Sequence, residues 1–180
     1  SVSSNIIGYE FNISCPNVKV GGMEFGVDCD LTEQLTTRLR KLTDRLLIMK
    51  LSPNVTDIAA IGVAAEKGGA DALSAINTLV GMSINTTNKK SNIYYGYGGL
   101  SGPAIKPVGL ACVHKIYQAV EIPLIGIGGI ISAEDVLEYV LAGSVAVEVG
   151  TANYRDPDVG NSIIVELDTL LDQNDIGSIP

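Results

Sequence analysis

The feature that most limits what this chain can fold into is a rhythm. Short apolar runs alternate with amphipathic stretches. "YEFNIS" (9–14), "RLLIMKL" (45–51), "ADALSAINT" (70–78), "PLIGIGG" (123–129) and "SVAVEVG" (144–150) read as strands. Helical stretches lie between them. "DLTEQLTTRLRKLTD" (30–44) spaces Leu31, Leu35, Leu39 and Leu42 as one helical face. "TDIAAIGVAAEKGG" (56–69) offers Thr56 or Asp57 as cap and Gly68-Gly69 as stop. "SAEDVLEYVLAG" (132–143) has Ser132 as cap and acidic residues in its first turn. Another helix is expected to begin near Pro103. Strands alternating with helices pair in parallel through right-handed crossovers. One stretch breaks the rhythm: about 81–99, with polar "NTTNKKSN" between "GMSI" and "IYYGYG", reads as a hairpin excursion whose tyrosines pack within it.

An open doubly wound sheet and part of a (β/α)₈ barrel both fit this order. Glycine placement favours the barrel. "GIGG" and "EVGT" end consecutive late strands, where barrels often bind phosphate. A dinucleotide fingerprint would place its glycines after the first strand. The chain is therefore expected to be an α/β protein, a partial (β/α)₈ TIM barrel holding about the last five strands. Its 180 residues, 46% hydrophobic and 18% charged, suffice for one core.

Composition excludes several classes. A net charge of -8 argues against a nucleic-acid surface. No apolar run approaches the roughly 20 residues of a membrane span. Three cysteines without a CxxC, and a single histidine, give no zinc or iron–sulfur pattern. A reducing, cytoplasmic setting is expected. The chain opens at Ser1 without methionine and ends at "GSIP". It is expected to be a fragment, cut at the N-terminus and at the C-terminus.

In a parallel barrel every strand ends at one mouth, so the polar residues there are the candidates for chemistry. Cys15 is either a small core hydrophobe or an accessible thiol in a loop. Its neighbours Ser14, Pro16 and Asn17 favour the loop. As a base it would work better as pH rises, since an ordinary thiol titrates near about 8.5. Lys50 either snorkels to water or fixes a positive charge at the mouth. Asn12 stands at a strand end, and Asn77 and Thr78 either end a strand or present amide and hydroxyl groups to a planar polar ligand. Gly98, Gly99 and Gly102, Gly128-Gly129 and Gly150-Thr151 either turn the chain or bring backbone N–H groups to phosphate. Cys29 and Cys112 read as structural, and His114 as a surface or boundary helix residue.

The segments "NISCPNVKVGGMEFG", "KLSPNVTDI", "INTLVGMSI", "GGLSGPAIKP", "IPLIGIGGI", "AEDVLEYVLAG" and "VGTANYRDP" resemble class 1 dihydroorotate dehydrogenases, within them the 1B type. The match is collinear from about Asn12 to Pro157. The resemblance implies an FMN-containing barrel that oxidises (S)-dihydroorotate to orotate in pyrimidine synthesis. It implies Cys15 as the base that takes the proton from carbon 5. Asn12, Asn17, Asn77 and Thr78 match substrate-binding positions. Asn12, Lys50, Ile76, Gly102, Gly128, Gly129, Gly150 and Thr151 match FMN contacts. It also implies a homodimer, and electrons passed to NAD⁺ through a partner subunit carrying FAD and a [2Fe-2S] cluster. The family barrel has eight strands against five here, so the fragment alone is expected to bind FMN poorly. An FMN enzyme acting on another dihydropyrimidine, a non-catalytic binding remnant and a flavin-free phosphate-binding isomerase are the competing readings.

Overall fold

The computed structural model describes residues 5–13 and 25–173. Strand β1 (Gly8–Asn12) leads to helix α1 (Cys29–Arg40), β2 (Leu46–Leu51), α2 (Ile58–Lys67) and β3 (Ala72–Ala75). Four short strands follow: β4 (Leu79–Gly81), β5 (Ile84–Asn85), β6 (Lys90–Ser91) and β7 (Gly98–Leu100). Then come α3 (Lys106–Tyr117), β8 (Leu124–Ile127), α4 (Ala133–Leu141), β9 (Ala146–Glu148), α5 (Ala152–Arg155) and α6 (Val159–Gln173).

The main sheet has the order β1-β2-β3-β8-β9, and every pair in it is parallel. The order never reverses, so there is no switch point of the doubly wound kind. Each helix packs on the next: α1 on α2, α2 on α3, α3 on α4, α4 on α6. The helices therefore form one layer on one face. The residues pointing at them are apolar and buried: Leu47, Met49, Leu51, Leu73, Ala75 and Leu124. The alternate residues of the same strands include Glu10, Lys50, Ser74 and Glu148. A one-residue slip would exchange the two sets, so this alternation fixes the register.

Local chemistry explains the element ends. Asp57 caps α2 by accepting from the backbone N–H groups of Ala59 and Ala60, and Gly68 closes that helix. Ser132 and Asp135 form a capping box on α4. Helix α1 stops at Arg40, four residues short of its expected end. The Arg40 guanidinium donates to the carbonyls of Thr43 and Arg45, and pairs with Asp71 at 2.7 Å. The chain turns back under this side chain, and Leu42 is left exposed. The face of α1 that buries completely holds Thr32 and Thr36, while Leu31, Leu35 and Leu39 are half-buried. Gly68 makes room for this contact, since a Cβ there would lie 2.6 Å from the Thr36 Cβ.

Strands β3, β8 and β9 are shorter than their apolar runs. Asn77, Thr78, the glycine pair at 128 and 129, and Gly150 thus lie beyond strand ends. The excursion forms two antiparallel ribbons, β4 with β7 and β5 with β6. Its tyrosines do not pack within it, as the sequence had suggested. Tyr94, Tyr95 and Tyr97 are exposed, and the contact made by Tyr94 is edge-to-face with Tyr95. The ribbons are too short to bury a ring. His114 is exposed on α3, Cys112 is half-buried against the core, and Cys29 is exposed in the first turn of α1. Cys29 therefore does not fill the core.

Candidate functional site

The C-terminal ends of the parallel strands open onto a cavity of about 460 Å³. Lys50, the fifth residue of β2, reaches it from the sheet. Ile76, Asn77 and Thr78 line it from the loop after β3, and Gly102 from the loop before α3. Gly128 and Gly129 line it after β8, and Gly150 and Thr151 after β9. Residues more than 100 positions apart are thus brought to one concavity, as parallel strands with right-handed crossovers require.

The glycines are there for different reasons. Gly102, Gly128 and Gly129 have φ of 82°, 127° and 74°, where a side chain is strained. At Gly129 a Cβ would also stand 2.8 Å from the Gly102 carbonyl and 3.0 Å from the Lys106 nitrogen. The two glycine turns therefore press backbone on backbone. Gly150 is different: a Cβ there would meet nothing within 4 Å. Its bare backbone faces open space.

Behind the turns stands a brace. The Tyr139 hydroxyl on α4 donates to the carbonyl of Gly128 (2.8 Å) and lies near that of Ile127 (3.2 Å). Burial, and then the charges near it, push this phenol well above its ordinary pKa. It stays a neutral donor. Asp135 takes the backbone N–H groups of Ile131 and Ser132, and its other oxygen is 2.6 Å from the Lys106 ammonium. Burial alone would raise the Asp135 pKa, but Lys106 and the two backbone donors leave it below the ordinary value. Lys106 also meets Glu138 at 3.0 Å, and its own pKa is raised by these two carboxylates. The start of α3 and the start of α4 are tied together by this lysine.

On the opposite wall, Asn77 donates from its amide to the Asn12 carbonyl oxygen at 3.0 Å. Asn12 is therefore held to the site through Asn77. It does not itself line the cavity. Asn54, in the loop after β2, was not foreseen as a site residue. Its amide donates to the Thr78 carbonyl and accepts from the Val80 N–H, fixing the Thr78 loop. Ser101, Arg155 and Asp156 also line the cavity without having been singled out. Asn54 had a signal, an Asn three residues after a strand end in "SPN", where turn chemistry concentrates. Cys15 and Asn17 lie outside the described residues.

Below the cavity Lys50 sits among acids. Its ammonium is 3.3 Å from Glu10 and 3.5 Å from Glu148, and Ser74 donates to Glu10 at 2.8 Å. Burial raises the Glu148 pKa, and the neighbouring Glu10 raises it further against the pull of Lys50. Glu10 moves the other way. Burial opposes its ionisation, but hydrogen bonds from Glu148 and Ser74 and the charge of Lys50 outweigh it.

A curved parallel sheet, one outer layer of helices and a cavity at the C-terminal strand ends define part of a (β/α) barrel with its site at the mouth. Among solved structures it is similar to dihydroorotate dehydrogenase from Eimeria tenella in complex with ferulenol. The TM-score is 0.77 at 27% identity, covering 96% of this chain and 52% of that one. The family model for dihydroorotate dehydrogenase matches residues 3–171, and the chain belongs to that family. Curated relatives named dihydroorotate dehydrogenase B (NAD(+)), catalytic subunit, include those of Bacillus cytotoxicus and Geobacillus kaustophilus, each 50% identical over 179 residues. That of Malacoplasma penetrans is 44% identical. These alignments take in 99% of this chain but 58%, 57% and 58% of the relatives. The chain thus spans little more than half their length. The family is flavin-dependent. Among the described residues no helix is long and apolar enough to cross a membrane.

Proposed function

We propose that this chain is part of the catalytic subunit of an NAD⁺-linked dihydroorotate dehydrogenase, oxidising (S)-dihydroorotate to orotate in pyrimidine synthesis. The observation that carries this reading is the convergence of Lys50, Asn77, Thr78 and three glycine turns on one cavity. The relatives' name supports the substrate and the NAD⁺-linked class.

The residues fit a flavin mononucleotide. Gly150 leaves open room beside its backbone, and the Gly102 and Gly129 turns have conformations that keep side chains out. Those turns suit the phosphate end. Lys50, at the other side of the cavity, suits the polar ring, where its charge stabilises negative charge as it develops. Ile76 supplies an apolar wall between them. When bound, FMN supplies a two-electron acceptor for the hydride leaving carbon 6 of the substrate.

The remaining work falls to the chain. Asn77 and Asn12 form an amide pair that orients the pyrimidine, and Thr78 and Asn17 are further substrate-binding residues of the same reading. Cys15 removes the proton from carbon 5, which is acidified by the adjacent carbonyl. Loss of that proton and of the hydride leaves the carbon–carbon double bond of orotate. Electrons then pass to NAD⁺ through a separate subunit, for which FAD and a [2Fe-2S] cluster are the fitting carriers. Homodimerisation and a cytoplasmic location belong to the same reading.

The test is an absorption spectrum of the full-length protein, then anaerobic addition of dihydroorotate, with dihydrouracil as the control. A yellow chromophore bleached by dihydroorotate alone supports the reading. A colourless protein, or bleaching by dihydrouracil, overturns it.

A further inference from the structure

The reaction proposed above uses Lys50 but leaves the two acids beside it without a role. Their geometry is specific. Lys50 extends from β2 and meets Glu10 from β1 and Glu148 from β9, at 3.3 and 3.5 Å. The second oxygen of Glu10 is occupied by the hydroxyl of Ser74, which is fully buried. One ammonium thus faces two carboxyl groups, one of which has an additional hydroxyl donor.

We propose that Glu10 and Glu148 hold a single proton between them and act as positioning residues for Lys50, so that the charge offered to the cavity follows the protonation of this pair. The inference rests on the reading of the cavity as a flavin site. Two carboxylates that each lie within 3.5 Å of one ammonium are neighbours, and in a half-buried setting they resist ionising together. Ser74 and Lys50 stabilise the ionised form of Glu10. Glu148 lacks a hydroxyl donor among the described residues, so the proton resides mainly there. The opposed shifts of the two acids agree with this asymmetry. Among the described residues the other charged groups lining the cavity are Arg155 and Asp156, at the end of α5, while β3 presents Ser74 and β8 presents Ile127.

With the proton in place the cluster is one ammonium, one carboxylate and one carboxylic acid, neutral overall. Without it the cluster carries one negative charge. Lys50 is then drawn toward two carboxylates, and an anion in the cavity is disfavoured. Affinity for a negatively charged ring ligand therefore falls as pH rises through the upper titration of the pair.

The experiment has two arms. In the first, glutamate side-chain carbons of the unliganded full-length protein are followed by NMR from pH 4 to 9. The expected result is two resonances that each sense both steps, with the upper step above the ordinary glutamate range. Glu148→Gln should abolish the upper step, and Glu10→Gln should bring Glu148 down toward that range. In the second, the Kd of dithionite-reduced FMN, whose ring is an anion at neutral pH and above, is measured anaerobically against pH, with reduced riboflavin controlling for titration of the phosphate. Wild-type affinity should fall above the upper step by at most about tenfold per pH unit, the limit for one linked proton. Glu148→Gln should flatten that fall for both ligands. Independent, ordinary titrations of the two acids overturn the proposal, as does a wild-type profile identical to that of Glu148→Gln. Failure to bind FMN at any pH refutes the flavin reading instead, and the first arm still decides the proton.

Discussion

The hydroxyl of Tyr139 donates to the carbonyl of Gly128 at 2.8 Å, so a side chain from the outer helix layer supports a turn that lines the cavity. The ring is fully buried, and two further glycines make space for it. A Cβ at Gly109 would lie 2.0 Å from its oxygen, and one at Gly126 would lie 2.4 Å from its ring.

Gly109→Ala should destabilise the protein by about 2 kcal/mol, within the usual range for overpacking a core. Tyr139→Phe should cost about 1 kcal/mol for the lost hydrogen bond. The double variant should cost less than the sum, because removing the oxygen relieves the clash. Urea denaturation of the four proteins gives the coupling energy. Strict additivity would mean that the helix moves as a body and that the oxygen is not what Gly109 accommodates.

Asp135→Ala removes the side-chain half of the capping box, the acceptor for two backbone N–H groups and one of the two acidic partners of Lys106. A loss of about 2–3 kcal/mol at pH 7 is expected from the cap and the stranded donors. The Asp135 pKa is depressed in the fold. Its contribution is therefore complete above the unfolded value of about 3.9 and fades as pH falls through the lower folded value. The difference between wild type and variant should shrink on acidification. Stability curves between pH 3 and 7 check this, and a gap that widens in acid contradicts the assignment.

Two glycines of the cavity should respond differently to the same methyl group. At Gly129, φ of 74° and two backbone contacts of 3.0 Å or less make alanine costly to the fold. At Gly150 nothing obstructs a Cβ, and Gly150→Ala should leave stability within about 0.5 kcal/mol of wild type. If the backbone there faces bound cofactor, the same substitution should still weaken FMN binding about tenfold or more, by occupying its space. Thermal melts paired with flavin titration separate the two effects, and unchanged FMN affinity in Gly150→Ala would remove that residue from the site.

Cys15→Ser should retain the flavin colour of the full-length protein and slow its anaerobic bleaching by dihydroorotate by two orders of magnitude or so, the usual share of a general base. The residual rate should be recovered only weakly at high pH, because a serine hydroxyl does not titrate in the accessible range. Stopped-flow absorbance measures it. Bleaching at the wild-type rate would take the proton abstraction away from Cys15.

Much of this was legible in the residues. Strand and helix periods, the Asp57 and Ser132 caps and the late glycine pair are local signals, and local signals survive in sequence. The lining position of Lys50 was half legible: a lysine closing an apolar run either snorkels to water or stands at the mouth, and only the fold decides between them. What could not be read were relations between distant strands. Glu10 and Glu148 each look like a solvent-facing strand residue, and only curvature of the sheet turns them toward one ammonium. Asp135 reads as an acidic residue favouring a helix start, which it is, but its tie to Lys106 needs the packing of α3 against α4. The tyrosines of the excursion misled because aromatic residues in a ribbon usually pack against it, and ribbons of two or three residues leave these rings exposed, Tyr94 meeting its neighbour Tyr95.

Lys50 and Glu148 are 98 residues apart in the chain, and neighbouring strands of a sheet are about 4.8 Å apart, so these two can meet only after β9 has docked and the sheet has curled. Closing so long a loop is among the slower events in the assembly of a parallel fold. The acid that completes the cluster around the lysine arrives with that same event. Completion of the cluster around the lysine therefore waits on the docking of β9, and a chain stalled before it holds its cation in an unfinished setting.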